Sequence, residues 1–70
     1  MTQKAPLNPR EITILQAVAN GQPYKQVALE MSVNTRTVYM IMHRIRRKLK
    51  AHSTYQAVAY AVTRGLVTVD

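Results

Sequence analysis

The segment from residue 35 to residue 50 constrains the fold most, because its apolar residues repeat with the period of an α-helix. They fall at offsets of 0, 4, 7 and 11, at Val38, Met42, Ile45 and Leu49. This spacing places all four side chains on one face of a helix and does not fit a strand. Asn34, just before the segment, is a favoured N-cap residue. The sequence therefore predicts a helix over residues 35–50 with one face in a core.

Start and stop signals predict three more helices, which cover residues 9–20, 24–31 and 54–64. Asn8 with Glu11, and Ser53 with Gln56, have the spacing of capping boxes at two of the starts. A glycine, which adopts the left-handed conformation cheaply, ends two of the helices, at Gly21 and Gly65. The short turn at residues 32–34 joins the second helix to the third, as in a helix-turn-helix.

A chain of 70 residues has room for one domain only. We predict a flexible arm over residues 1–7 and a single all-α domain over residues 8–70. Apolar residues at helical spacing in the other segments should complete the core. These residues are Ile12, Leu15, Val18, Ala19, Val27, Ala28, Met31, Ala57, Val58 and Ala61, with Leu66 and Val67 folding back from the end of the chain.

Positive charge is concentrated in the third predicted helix. The chain has 10 Lys and Arg against 3 Asp and Glu, and its net charge is +7. Such a surplus indicates a polyanionic partner. Six of the cations lie between residues 36 and 50, at Arg36, Arg44, Arg46, Arg47, Lys48 and Lys50. The alternative interpretation, that cations complement the C-terminal end of a helix dipole, accounts for Lys48 and Lys50 but not for all six.

Several classes of protein fit the sequence poorly. The absence of Cys excludes disulfide frameworks and thiolate metal sites. No apolar run approaches the roughly 18 residues of a membrane span, and the first residues lack the apolar block of a signal peptide. A membrane-surface role would need apolar anchors that the core already uses. His43 and His52 are nine residues apart and have few acidic neighbours, so we predict no metal site, no cofactor, no catalytic residues and no enzyme activity.

The ordered motifs of the chain resemble those of the LuxR/GerE-type helix-turn-helix family. The matching segments are residues 7–11 (LNPRE, family LTxRE), 27–33 (family IAxxLxIS), 34–38 (NTRTV, family SxxTV), 48–49 (KL), 53–58 and 65–66 (fourth-helix signature). Each motif alone is weak, but the ordered set at these spacings is specific. The resemblance spans about residues 7–67 without a gap.

The resemblance implies a four-helix LuxR/GerE-like helix-turn-helix domain that regulates transcription by binding double-stranded DNA. It implies that bases are read at the positions of Tyr39, Met40 and His43. It also implies phosphate contacts from Lys25, Thr35, Arg36, Thr37, Arg44 and Arg47. Such domains usually lie at the C-terminus of a larger regulator, and this chain is expected to be a free-standing member in the bacterial cytoplasm or nucleoid.

The start of the third helix departs from the family pattern. The family commonly has a basic residue at Tyr39 and His at Ile41, whereas this sequence has the apolar run YMIM at 39–42, expected on the exposed start of the helix. Tyr39 and Met40 can contact thymine methyl groups, but they cannot replace a phosphate contact. Either the DNA site is rich in A·T contacts, or DNA affinity is reduced and this face binds something else.

The fourth helix has apolar residues beyond those that the core needs. Tyr55, Ala59 and Val62 lie at offsets of 0, 4 and 7, which predicts a homodimer contact and a palindromic site with half-sites about one DNA turn apart. Scattered apolar exposure is the ordinary alternative. A second functional hypothesis is a small interaction protein, or anti-activator, that pairs with a larger LuxR-family regulator and blocks it.

Overall fold

A computed structural model describes residues 7–69, and within them the chain forms four α-helices and no strand. The helices are α1 (Pro9–Ala19), α2 (Tyr24–Met31), α3 (Thr35–Leu49) and α4 (Thr54–Thr63). The all-α prediction is confirmed, and each predicted helix matches an observed one to within one residue at either end. α2 and α3 are joined by the predicted short turn.

Side-chain caps begin three of the helices. The Asn8 side chain accepts a hydrogen bond from the Glu11 N–H at 2.8 Å, and Glu11 Oε1 accepts one from the Asn8 N–H at 3.0 Å, which confirms the predicted capping box. Asn34 caps α3 by accepting from the Thr37 N–H at 2.9 Å. Because each cap satisfies a donor that the helix leaves free, these contacts fix where α1 and α3 begin.

The predicted capping box of α4 is only half right. Ser53 Oγ accepts from the Gln56 N–H at 3.0 Å, as expected. The Gln56 side chain, however, accepts from the His52 N–H at 2.7 Å and not from the Ser53 N–H. The backbone at Ser53 is fully extended, with φ at −153° against −81° at Asn8. The reciprocal bond therefore goes to the residue one position earlier.

All four described helices end in the same hydrogen-bond pattern. After α1, the N–H of Gly21 bonds to Val18 O and the N–H of the next residue bonds to Ala17 O, which is a Schellman motif. The left-handed position of this motif is Gly21 (φ 88°) and Gly65 (φ 74°) after α1 and α4, as predicted. After α2 and α3 it is taken by Ser32 (φ 58°) and Lys50 (φ 57°). Two helix ends thus use residues for which this conformation is unfavourable.

α3 is the centre of the core and packs against the other three helices. The buried apolar side chains are Leu7, Ile14, Leu15, Val27, Ala28, Val38, Ile41, Met42, Ile45, Leu49, Ala57, Ala61 and Val67. Burial of Val67 confirms that the end of the chain folds back on the core. One face of α3 is consumed by this packing, so its opposite face is left to solvent.

The buried core differs from the predicted one at several positions. Ile14 is fully buried although it was not predicted. Six predicted core residues are half-buried and pack against the core, namely Ile12, Val18, Ala19, Met31, Val58 and Leu66. Ile41 is buried at 6% exposure, so the apolar run 39–42 is not exposed as a unit. It lies three residues after Val38 and therefore shares the core face. Leu7, assigned to the flexible arm, is a core residue at 5% exposure. The rest of that predicted arm, residues 1–6, lies outside the described residues.

Candidate nucleic-acid interface

The face of α3 that points away from the core is lined by exposed residues at helical spacing. These are Arg36, Tyr39, Met40, His43, Arg44 and Arg47. All six were expected to contact bases or phosphates on family resemblance. Because successive residues turn by about 100°, positions 36, 40, 43, 44 and 47 form one continuous stripe, and Tyr39 lies along its edge and is counted with it. The arrangement presents cations at both ends of the stripe and apolar or neutral groups in its middle.

The C-terminal half of this stripe forms a shallow groove. It is lined by Met40, His43, Arg44, Arg47 and Lys48. Lys48 was not among the predicted contacts, yet it lies beside two that were. The groove therefore combines candidate base-reading groups with guanidinium groups whose planar donors match phosphate oxygens.

A buried carboxylate lies at the edge of the groove. Glu11 in the first turn of α1 is 1% exposed. Its two oxygens accept hydrogen bonds from Lys48 Nζ at 2.9 and 3.0 Å. Arg44 Nη1 lies 3.9 Å from Glu11 Oε2. Glu11 therefore serves two helices, because the same carboxylate closes the α1 capping box and pairs with α3.

The ionisation of Glu11 reflects this set of contacts. Burial by itself would raise the pKa of Glu11, but the hydrogen bonds from Lys48 and the Asn8 N–H, with the charges of Lys48 and Arg44, outweigh it, and the pKa is lowered. Glu11 is accordingly ionised at neutral pH. The carboxylate compensates the like charges of Arg44 and Lys48, which would otherwise repel each other at i, i+4.

The six cations of the segment are thus not equivalent. Lys48 forms an ion pair with Glu11. Neither the helix-dipole interpretation nor a phosphate contact predicted this pair. Arg46 is half-buried on another side of α3, and its Nε finds no hydrogen-bond partner among residues 7–69. Arg36, Arg44 and Arg47 are exposed along the stripe. The three arginines for which phosphate contacts were expected are thus exposed on one side of α3, while Lys48 is neutralised and Lys50 is the left-handed residue at the helix end.

Tyr39 is held by an aromatic neighbour. Its ring packs edge-to-face against Tyr24 of α2, with centroids 4.6 Å apart, and the side chain keeps 60% exposure. The hydroxyl of Tyr24 lies 3.2 Å from Thr54 Oγ1 in the first turn of α4. Tyr24 therefore connects the exposed stripe to the start of α4. Sequence reasoning missed Tyr24, because nothing in its position indicates which ring it meets.

The predicted phosphate contacts outside the stripe lie near the start of α3 and on α2. Lys25 is exposed, whereas Thr35 and Thr37 are half-buried. The Thr37 hydroxyl donates to Asn34 Oδ1 at 2.9 Å, so it must turn before it can donate to a phosphate. The free N–H groups of the first turn of α3 lie at the positive end of the helix dipole. An anion is therefore favoured at this end of the helix.

The predicted dimer strip is accessible. Tyr55 is 85% exposed, Ala59 is exposed and Val62 is 40% exposed, all on one side of α4. The neighbouring Tyr60 is half-buried, with the Arg64 guanidinium 5.7 Å from its ring centroid. A further exposed apolar residue, Leu29 on α2 at 68%, was not predicted. None of the helices in residues 7–69 combines the length and the apolar composition needed to span a bilayer.

Comparisons with known proteins agree with this architecture. Residues 5–61 match the GerE family model, described as bacterial regulatory proteins of the luxR family. The chain is similar to the transcriptional regulatory protein YdfI of Bacillus subtilis (strain 168), with 36% identity over 64 residues, which cover 91% of this chain and 30% of YdfI. It is similar to the HTH-type transcriptional activator RamA of Corynebacterium glutamicum, with 38% identity over 56 residues, or 80% of this chain and 20% of RamA.

Two solved structures have the same fold. The structure of the transcription factor GerE superimposes with a TM-score of 0.90 at 21% identity, covering 96% of this chain and 100% of GerE. A structure of the Vibrio cholerae VqmA dimer in the absence of target DNA gives 0.84 at 27% identity, covering 100% of this chain and 31% of VqmA. The GerE-like fold prediction is confirmed. The chain spans less than a third of the length of the curated relatives described above.

Proposed function

The chain belongs to the luxR family of bacterial regulatory proteins as a LuxR-type helix-turn-helix DNA-binding domain, and we propose that it regulates transcription by binding a specific palindromic site as a homodimer. The luxR family is one of regulators and not of enzymes. As a regulator of this kind, the protein acts in the bacterial cytoplasm, where the chromosome lies. Double-stranded DNA is its proposed main partner.

One observation carries the proposal: the face of α3 opposite the core bears three exposed arginines around Tyr39, Met40 and His43. A helix of 15 residues fits the major groove of DNA, which is about 12 Å wide. In this placement Arg36, Arg44 and Arg47 face the phosphates, and the middle of the stripe faces base edges. Lys25, Thr35 and Thr37 complete the proposed phosphate contacts at the start of α3.

The middle of the stripe favours a site with thymine contacts. Tyr39 and Met40 are each 60% exposed and offer apolar surface, which suits the thymine methyl group. His43 is exposed between Met40 and Arg44 and can donate or accept a hydrogen bond at a base edge. We therefore expect selected sites to carry T or A at the positions nearest Tyr39.

Selection of bound sites from random duplex DNA tests the function. The expected result is a short palindrome, bound with an affinity that falls steeply as salt rises. Tyr39→Ala and His43→Ala should change the preferred sequence, while Arg44→Ala should weaken binding to every sequence alike. Failure of the unaltered protein to bind any duplex at low salt would overturn the proposal.

The proposed homodimer uses the strip Tyr55, Ala59 and Val62 on α4. One unit of this size contacts a single half-site, and a twofold pair doubles the contacts. Tyr55→Ala and Val62→Asp should lower affinity for the palindrome towards that for a half-site, which binding to both probes measures. Thr13→Asp, at an exposed position on α1, is the control for added charge. Equal effects of Val62→Asp and Thr13→Asp would contradict a dimer through this strip.

A second candidate function uses the same α4 strip with a different partner. A chain with this fold can pair with a larger LuxR-family regulator and block it, since the strip is exposed and the fold is shared. Mixing the protein with a purified full-length regulator of the same host tests this hypothesis. Mixed dimers that no longer bind the regulator's operator would support it, and exclusive self-association would contradict it.

A further inference from the structure

We propose that Glu11 limits the sequence-independent affinity for DNA by holding Lys48 away from the phosphate backbone. The inference rests on the proposed function, because it concerns the groove that would face DNA. Glu11 lies on α1, outside the helix-turn-helix, and contacts no base or phosphate itself. Its role is to position and neutralise a cation of α3.

The contact geometry supports this role. Lys48 lies in the last turn of α3 and lines the same groove as Met40, His43 and Arg47. Its ammonium group is bound by both oxygens of one carboxylate, at 2.9 and 3.0 Å. The Glu11 side chain is 2% exposed and is also held by the Asn8 N–H, whereas the Lys48 side chain is 35% exposed. The buried partner therefore determines where the ammonium lies.

The charge arrangement explains what the pair does for recognition. Each cation that neutralises a phosphate releases counterions and adds affinity for every sequence alike, with a salt slope of about 0.9 per phosphate. A free Lys48 would add such a contact. Such a uniform gain leaves the specificity ratio unchanged, but it lowers the amount of free protein because genomic DNA offers a large excess of non-specific sites. Glu11 removes that contact and leaves recognition to the exposed arginines and the middle of the stripe.

Glu11 constrains Arg44 less than it constrains Lys48. Its nearest guanidinium nitrogen is 3.9 Å from Glu11, beyond hydrogen-bond distance, and its side chain is 57% exposed. Arg44 thus remains able to turn towards a phosphate, while Lys48 does not. One carboxylate distinguishes two cations that lie four residues apart on the same helix.

The test measures binding of random-sequence duplex across salt for Glu11→Gln, which keeps the size of the side chain and removes its charge. The freed Lys48 should raise non-specific affinity and steepen the salt slope by close to one contact. One contact corresponds to a further fall of roughly three- to fourfold between 50 and 200 mM salt. The ratio of specific to non-specific affinity should stay the same, because the added contact is to phosphate and carries no sequence information. Glu30→Gln is the matched control, because Glu30 is exposed on α2 and its loss changes the net charge equally.

A second variant tests the inference by removing Lys48 as well. Glu11→Gln combined with Lys48→Met replaces the ion pair by neutral groups and leaves the net charge unchanged. If Lys48 contacts no phosphate, this double variant keeps the original salt slope. Affinities are referred to the folded fraction, which circular dichroism gives for each variant.

The outcomes separate the inference from the function on which it rests. Stronger non-specific binding by Glu11→Gln alone, with an unchanged slope in the double variant, supports the role of Glu11. Unchanged or weaker non-specific binding by Glu11→Gln, or a slope reduced by about one in the double variant, overturns it while DNA binding stands. Absence of binding by the unaltered protein overturns both.

Discussion

The ring of Tyr39 packs edge-to-face on the ring of Tyr24, with centroids 4.6 Å apart and planes inclined by 63°. Edge-to-face pairs of this kind are favoured by the charge distribution of the rings and contribute about 0.5–1.5 kcal/mol beyond burial. The Tyr24 hydroxyl also lies within hydrogen-bond distance of Thr54, at 3.2 Å. A residue of α2 therefore orients an exposed side chain of α3 and contacts the first residue of α4.

Separate variants should divide the two roles of Tyr24. Tyr24→Leu removes the ring that orients Tyr39, so we expect the preferred bases near Tyr39 to change while binding to random DNA changes little. Tyr24→Phe keeps the ring and removes only the hydroxyl, and it should cost about 0.5–1.5 kcal/mol of stability. Site selection and urea unfolding measure the two effects. An identical base preference for the unaltered protein and Tyr24→Leu would contradict an orienting role.

Two adjacent arginines on α3 should differ in their effect on DNA binding. Arg47 is exposed in the groove, whereas Arg46 is half-buried on another side of the helix. Arg47→Ala should weaken binding to all duplexes and reduce the salt slope by about one. Arg46→Ala removes the same charge and should leave the slope unchanged. Titrations over a range of salt concentrations check both. An equal reduction of the salt slope in the two variants would show that the lost charge matters and its position does not.

Local patterns predicted the helices because their causes lie within a few residues. The spacing of Val38, Met42, Ile45 and Leu49 indicated α3 and its core face, and all four side chains are buried. Asn8 and Asn34 cap the helices that follow them, as residue type and position implied. These features depend on the period of the helix and on its free end groups, which the order of residues reveals directly.

Contacts between distant segments could not be predicted in the same way. Glu11 and Lys48 are 37 residues apart, and a capping box alone accounts for a Glu at position 11. The burial of Ile41 depends on how much of the α3 surface packs against the three neighbouring helices. The four core residues identified from their spacing underestimate the width of that buried surface. The proposed contacts of the stripe rested on family resemblance. The structure adds which cations are exposed there and which one is neutralised.

The left-handed residues at the helix ends should respond oppositely to substitution. Gly65 has φ at 74°, and a Cβ added there meets nothing within 4 Å, so the cost of Gly65→Ala comes from the backbone alone. We expect Gly65→Ala to lower the free energy of unfolding by about 1 kcal/mol. Lys50→Gly relieves the same strain at the end of α3 and should raise stability by about 0.5 kcal/mol, after the entropy cost of Gly. Urea unfolding measures both changes.

A matched exposed lysine controls for the lost charge and side chain at Lys50. Lys25 lies in α2 in an ordinary helical conformation, so Lys25→Gly should destabilise the domain by about 1 kcal/mol. The sign of the change therefore distinguishes relief of a left-handed residue from a general effect of replacing lysine. Destabilisation by Lys50→Gly as large as that by Lys25→Gly would contradict strain at the α3 end.

The Glu11 carboxylate should make the fold sensitive to acid. The pKa of Glu11 is lowered in the folded state by Lys48, the Asn8 N–H and Arg44, in spite of its burial. A lowered pKa adds stability that is fully present above the ordinary Glu value, about 4.3, and is lost as pH falls through the lower folded value. Because Lys48 is 35% exposed and solvent screens part of the ion pair, the loss should be smaller than for a fully buried pair.

Urea unfolding of the unaltered protein and of Glu11→Gln between about pH 7 and pH 2 checks this expectation. At neutral pH the variant should be the less stable of the two. The difference should shrink as the pH falls below about 4, since the protonated carboxyl of Glu11 then resembles the amide of Gln. Glu30→Gln should run parallel to the unaltered protein, because Glu30 is exposed and bonds only to the Gln26 side chain, at 3.2 Å, among the described residues. A stability gap for Glu11→Gln that stays constant down to pH 2 would place the cause in lost packing and not in the ion pair.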